Sequence, residues 1–264
     1  MAVVARALAI VTLAACAPGV DTRPGSASVT AGVAPDSSAN TFLRDTFTGA
    51  SGALESHTPE IGGAWSKHPV YGGSIALDGA GRIDPTISAG TTALYVNAAT
   101  PPTADYEVTA IFTPRSGGSG AALAHAVVAR LDPTINEFYQ GAWHGGELAI
   151  WKRVGGGTAS IVGPVVTQLI GDGDVLRMRL RVVGSSLKLL TRINAETTWT
   201  ERVIATDTDV TAVGKAGVSY YAPADAAFTP DAVAFQMDEV TATNLGVGGG
   251  GARSVRGVPP RRGR

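Results

Sequence analysis

The sequence predicts an all-β chain, an antiparallel β-sandwich of the jelly-roll kind. Three observations carry that reading. Short stretches of alternating apolar and polar residues recur through 41–245, with Gly, Pro, Asp and Asn at their boundaries, as half-buried strands joined by turns require. No long window sustains the 3.6-residue apolar period of a helix. The composition of 34 Gly, 15 Pro and only 16% charged residues suits many turns better than long charged helices. About a dozen strands with one apolar face each must bury those faces, and two stacked sheets do so.

The chain begins with an address. Arg6 precedes the apolar run Ala7-Leu-Ala-Ile-Val-Thr-Leu-Ala-Ala, which is shorter than the roughly 20 residues needed to span a bilayer. A basic start and a short apolar run ending in small residues describe an export signal. Leu13-Ala14-Ala15-Cys16 then resembles a bacterial lipobox, and Cys16, the single cysteine of the chain, occupies the position that is lipidated. Residues 1–16 are therefore expected to be a lipoprotein signal with Cys16 as the attachment point. Several acyl chains make such anchoring stable, because each buried CH₂ adds about 0.8 kcal/mol. Ala17 is not the aspartate associated with inner-membrane retention, so an outer-membrane or cell-surface destination is expected. One cysteine also excludes an intramolecular disulfide and a cysteine zinc site.

Residues 17–40 are rich in Pro, Ser, Gly, Ala and Thr and lack aromatics, which marks a flexible tether. Residues 246–264 form a Gly- and Arg-rich tail, expected to be disordered. The charge is divided between regions. Residues 41–245 hold 20 acids and 14 bases, a net of −6, while the tail carries five arginines and no acid. Apart from this tail nothing points to nucleic acid, and no nucleic-acid partner is expected.

Within 41–245 the alternation places strands near 43–47, 74–77, 93–97, 106–113, 125–131, 137–143, 148–153, 158–162, 175–183, 187–193, 198–205, 217–221 and 232–243. The order of motifs along this region is informative. Asp45-Thr-Phe47 opens it, and a loop ends in Gly63-Ala-Trp65. Tyr106-Glu-Val-Thr-Ala-Ile-Phe112 and Val127-Val-Ala-Arg130 follow, then an aromatic hairpin over 136–153. The run from Gly171 to Gly184 leads into a second hairpin, and Gly214-Lys-Ala-Gly-Val218 precedes a closing strand with Asp238. In that order the chain resembles the concanavalin A-like lectin/glucanase superfamily, in its laminin-G-like bacterial branch. The resemblance implies a sandwich that hosts lectins, carbohydrate-binding modules, hydrolases and adhesion domains, so it leaves function open.

Two hairpins can be resolved face by face. With Gly145-Gly146 as a two-residue type I′ loop, Trp143 faces Leu148, Gly141 faces Ile150, and Tyr139 faces Lys152. The opposite face pairs Ala142 with Ala149, Gln140 with Trp151, and Phe138 with Arg153. Cross-strand partners share a face, so Trp143 belongs to the core. Trp151 stands among polar and small residues, which suits stacking of a sugar's CH-rich face with donors nearby for its hydroxyls. Trp151, Gln140, Phe138 and Arg153 are the candidate ligand site; packing of Trp151 beneath a loop is the competing reading. With Gly184-Ser185 as the second turn, Leu176, Met178, Leu180, Val182, Leu187 and Leu189 make a core face. Arg177, Arg179, Arg181, Lys188 and Arg192 gather on the other, a second, basic patch. Like charges across a ladder destabilise it. Glu107, Glu137 or Glu201 on adjacent strands, or an anionic ligand, would compensate.

Catalytic patterns are scarce. The Glu-x-Asp-x-x-Glu run that the resemblance associates with hydrolysis is missing, and adjacent Asp238 and Glu239 should point to opposite faces. The four histidines lack ligand spacing, and no cofactor or metal site is expected. Asp172 and Asp174, flanking Gly173, leave calcium possible but are too few to define a site. Asp84-Pro and Asp132-Pro read as turn starters. The expected function is a lipid-anchored envelope protein that binds carbohydrate. Its alternatives are a glycan hydrolase of a related sandwich family and a structural or adhesive protein with no small-molecule site.

Overall fold

The computed structural model describes residues 40–114, 124–170, 173–222 and 235–246. The export signal, Cys16, the tether, Asp172 and the tail beyond Gly246 lie outside them. The described chain is built from β1 (Thr41–Asp45), β2 (Gly52–Ala53), β3 (Trp65–Lys67), β4 (Ser74–Leu77), β5 (Ile83–Thr86), β6 (Thr92–Asn97), β7 (Tyr106–Pro114) and β8 (Ala124–Asp132). There follow β9 (Glu137–His144), β10 (Glu147–Arg153), β11 (Ser160–Thr167), β12 (Leu176–Val183), β13 (Ser186–Ile193), β14 (Thr200–Thr206), β15 (Lys215–Tyr221) and β16 (Phe235–Asn244). One 3₁₀ turn, Leu54–Ser56, interrupts them.

All pairing is antiparallel and divides into two sheets. The first runs β14-β13-β12-β7-β16-β5-β4-β2, with β1 also paired to β16; the second runs β11-β10-β9-β8-β15-β6-β3. The sandwich expected from the alternation is the fold observed. Leu180, Met178, Leu189, Phe112 and Val240 from the first sheet and Trp143, Tyr139, Ile150, Val127 and Val218 from the second fill one buried core. The layers approach closely at Gly141, where a Cβ would lie 2.6 Å from Leu189 Cδ1, so a strand-interior glycine is tolerated for its lack of a side chain.

Both hairpin registers follow from their turns. Gly145 and Gly146 adopt φ 57° and 90°, as a type I′ loop demands. Trp143 pairs with Leu148, Ala142 with Ala149, Gln140 with Trp151 and Phe138 with Arg153. In the second hairpin Val183 meets Ser186, Arg181 meets Lys188 and Arg177 meets Arg192.

Asp84-Pro is a correction. It lies inside β5 rather than at a turn, with Pro85 opposite Ile75 of β4. Proline is admissible there because β5 meets β16 through a single pair, Ile83 with Met237, so a missing N–H on that side costs no ladder bond. Asp132-Pro does start a turn, with Asp132 Oδ1 accepting Thr134 N–H at 2.8 Å. Asp238 is the extra residue of a β-bulge between Met237 and Glu239. It accepts from Thr113 at 2.6 Å and Glu239 faces Arg44 at 3.5 Å, so the two acids serve separate partners.

Arg130 anchors the end of β8 beside another bulge. It holds φ 52° with its side chain 1% exposed, donating to Ala104 O at 3.0 Å, Val210 O at 2.9 Å and Asp105 Oδ1 at 3.4 Å. Tyr106 Oη accepts its backbone N–H and donates to Gly214 O at 3.0 Å. Burial pushes that phenol well above its ordinary pKa, so it stays a donor throughout the usual pH range.

Candidate functional site

The outward face of the second sheet carries a row of small residues. Register places Ser219 of β15, Ala126 of β8, Ala142 of β9 and Ala149 of β10 side by side. One neighbouring row runs Val128, Gln140 and Trp151; the other runs Tyr221, Ala124 and His144. This face carries a groove, which Ala142 alone of the small row lines. It is a cavity of about 360 Å³ lined by Tyr71, Thr92, Ala124, Phe138, Gln140, Ala142, His144, Trp151, Arg153, Thr158, Ala159 and Tyr221. That volume falls within the range of small-ligand sites.

The four residues of the candidate ligand site come together here, each in a different role. Trp151 is half-buried in β10 and presents its ring to the cavity. Gln140, its cross-strand partner, is part-exposed, and its amide has no side-chain hydrogen bond among the described residues, so both its donors and its acceptor face the groove unspent. Phe138 is 4% exposed and belongs to a second apolar cluster with Leu94, Val96, Val128 and Leu131, so it contributes apolar wall rather than an open platform. Arg153 is held from two sides: its Nε donates to Gly157 O at 2.6 Å, and a terminal nitrogen donates to Tyr71 Oη.

Tyr71 was not anticipated as part of the site, and neither were His144, Thr92, Tyr221 or the loop residues Thr158 and Ala159. Tyr71 reaches the groove from the loop after β3, packs on the second apolar cluster, and lies under the Arg153 guanidinium at 5.5 Å. Its hydroxyl donates to Asn136 Oδ1 at 3.2 Å. Beneath it, buried His68 packs with its ring tilted by 52°, 5.1 Å between centroids, and accepts Val70 N–H at Nδ1. Its Nε2 has no partner among the described residues. Burial, and secondly the charge of Arg153, hold His68 below the ordinary histidine range, so it is neutral at pH 7. No run of sequence joins Tyr71 to Arg153, 82 positions apart.

The basic patch is elsewhere, on the outward face of the first sheet. Glu107 bridges Arg179 at 3.0 Å and Arg181 at 2.8 Å, and Glu201 meets Lys188 at 2.6 Å. Trp199 lies between Arg179, 4.1 Å above its ring, and Arg192 at 5.0 Å. Arg177 donates to Asn194 O at 2.6 Å. Acids and an indole therefore surround these cations, which is how a like-charged ladder persists. Asp174 accepts Asn194 Nδ2 at 2.7 Å. Among the described residues no group of three or more His, Cys, Asp or Glu is placed to hold a metal ion.

No protein-family profile and no curated protein sequence matches the chain. Solved structures do. The exoplasmic/lumenal domain of VIP36 in its Ca²⁺/Man-bound form aligns with a TM-score of 0.52 at 11% identity, covering 80% of this chain and 92% of that one. Its metal-free form aligns at 0.51 and 12% identity, covering 78% and 92%. The carbohydrate binding module CBM66 from Bacillus subtilis aligns at 0.47 and 14% identity, covering 69% and 94%. At such identities the VIP36 likeness is one of fold, and it agrees with the antiparallel β-sandwich expected from the alternation.

Proposed function

We propose that this is an exported, lipid-anchored protein whose β-sandwich binds carbohydrate in the groove of its second sheet. The observation that carries the reading is the pairing of Trp151 with Gln140 on the wall of the cavity. An indole face accepts the apolar side of a sugar ring, and a free amide beside it matches hydroxyls in both hydrogen-bonding senses. Hydrolysis of the bound sugar would need two carboxylates flanking the scissile bond, and the described lining offers none. The lipobox resemblance around Cys16 supports anchoring at the cell envelope, outer membrane or surface.

The test pairs two substitutions. Gln140→Leu should weaken polysaccharide binding in affinity electrophoresis by about tenfold, since a buried sugar hydroxyl would lose its partner. Its thermal midpoint should stay within about 2 °C of the parent, because no internal bond is broken. Cys16→Ser should abolish incorporation of radiolabelled palmitate in a bacterial host. No binding by the parent across a broad glycan array would favour the structural or adhesive alternative, and unchanged binding by Gln140→Leu would remove Gln140 from the site.

A further inference from the structure

Resting on the carbohydrate reading of the groove, we infer that the sugar it selects bears a carboxylate, as a uronate unit does. Arg153 is the sole Lys or Arg among the described lining residues, and no acid joins it there. Arg44, Arg82, Arg130, Lys152, Arg179, Arg181 and Lys188 each lie within ion-pair distance of a carboxylate, and Lys67, Arg177, Arg202 and Lys215 spend a donor on a carbonyl or hydroxyl outside the groove. Arg153 has no carboxylate partner among the described residues. A guanidinium has five N–H donors. One goes to Gly157 O and one to Tyr71 Oη, which leaves the other terminal nitrogen and part of the first for a ligand. The hydrogen bonds to Gly157 O and Tyr71 Oη hold the fork from two sides, and a fixed fork suits two parallel bonds to a carboxylate.

Position agrees with chemistry. Trp151 and Arg153 are two residues apart on one face of β10, about 6.6 Å along the strand. A sugar ring lying on the indole therefore brings a charged substituent at its edge to the guanidinium. Nearby acids do not intervene. Glu137 is turned to Gly155 N–H at 3.0 Å, and Glu147 sits opposite His144 at the far end of β10, about 20 Å away along the strand. The net charge of −6 over residues 41–245 opposes long-range approach of an anionic polymer, so a preference for anionic sugars must come from contact with Arg153.

Full-length protein in detergent should be titrated calorimetrically with polygalacturonate, polymannuronate and hyaluronan, each beside its carboxyl-reduced form. In at least one pair the acidic form should bind about tenfold or more tightly, a preference that shrinks as salt rises. Arg153→Met should weaken the acidic form about tenfold more than the reduced form, removing the preference, and Arg153→Lys should retain part of it. Trp151→Ala should weaken both forms. Equal binding within every pair, or an Arg153→Met that loses both forms alike, overturns the carboxylate inference and leaves the groove reading standing. Binding that ignores Trp151, or no binding to any polymer, overturns both.

Discussion

Replacing Trp151 with Ala perturbs folding and recognition by different, separable amounts. The indole is half-buried. A fully packed aromatic removes about 150–250 Å² from water. With roughly 100 Å² of it in contact with the protein, truncation costs about 2.5 kcal/mol at 25 cal/mol per Å². For a domain of this size that lowers the thermal midpoint by roughly 5–10 °C and leaves one cooperative transition. Loss of the stacking platform should weaken a polysaccharide by about 1.5 kcal/mol, close to tenfold in Kd. Calorimetric titration well below the unfolding transition keeps both proteins folded and reads the second effect alone. A variant that binds within about twofold of the parent would refute the platform role. It would leave Trp151 as a residue that merely packs beneath the 154–159 loop.

Two further substitutions test how the sheets are held. Glu107→Gln removes the acid between Arg179 and Arg181, so urea unfolding should show a loss of about 2 kcal/mol that shrinks in high salt, where the facing cations are screened. Asp207 accepts from Tyr139 at 2.6 Å and from Lys152. Burial opposes its ionisation, but the bonds from Lys152 and Tyr139 outweigh it and hold its carboxyl below the ordinary range. A depressed carboxylate stabilises the fold above its unfolded pKa, and that contribution is lost as pH falls through the folded value. Thermal midpoints should therefore drop on acidification below about pH 4, and Asp207→Asn should flatten that part of the profile. An identical slope in the variant would mean that other carboxylates govern acid unfolding.

Local pattern decided much of this protein. Alternation and turn chemistry placed most strands, because a two-residue period with one apolar face has few ways to be buried. Gly145 and Gly146, both at positive φ, set the register that divides Trp143 from Trp151, and no distant contact was needed for that division. The short strands β2, β3 and β5 escaped because two to four residues carry no readable period. Asp84-Pro misled for a related reason: a turn signal is local, while the vacancy that lets proline enter β5 is created by β16 on its far side.

What only the tertiary structure decided is which residues share a surface. Alternation could show that Phe138 points away from the main core, but not that Leu94 and Val96, from a strand distant in sequence, would join Val128 in enclosing it in a second cluster. Nor could it bring Tyr71 under Arg153, or set Glu107 between Arg179 and Arg181 rather than against some other cation. Ladder order between non-consecutive strands determines these meetings, and it follows from how two sheets close over one core. The hairpin turn could orient Trp151; the groove beside it exists because Tyr71, Thr92, Tyr221 and the loop residues Thr158 and Ala159 meet that hairpin in space.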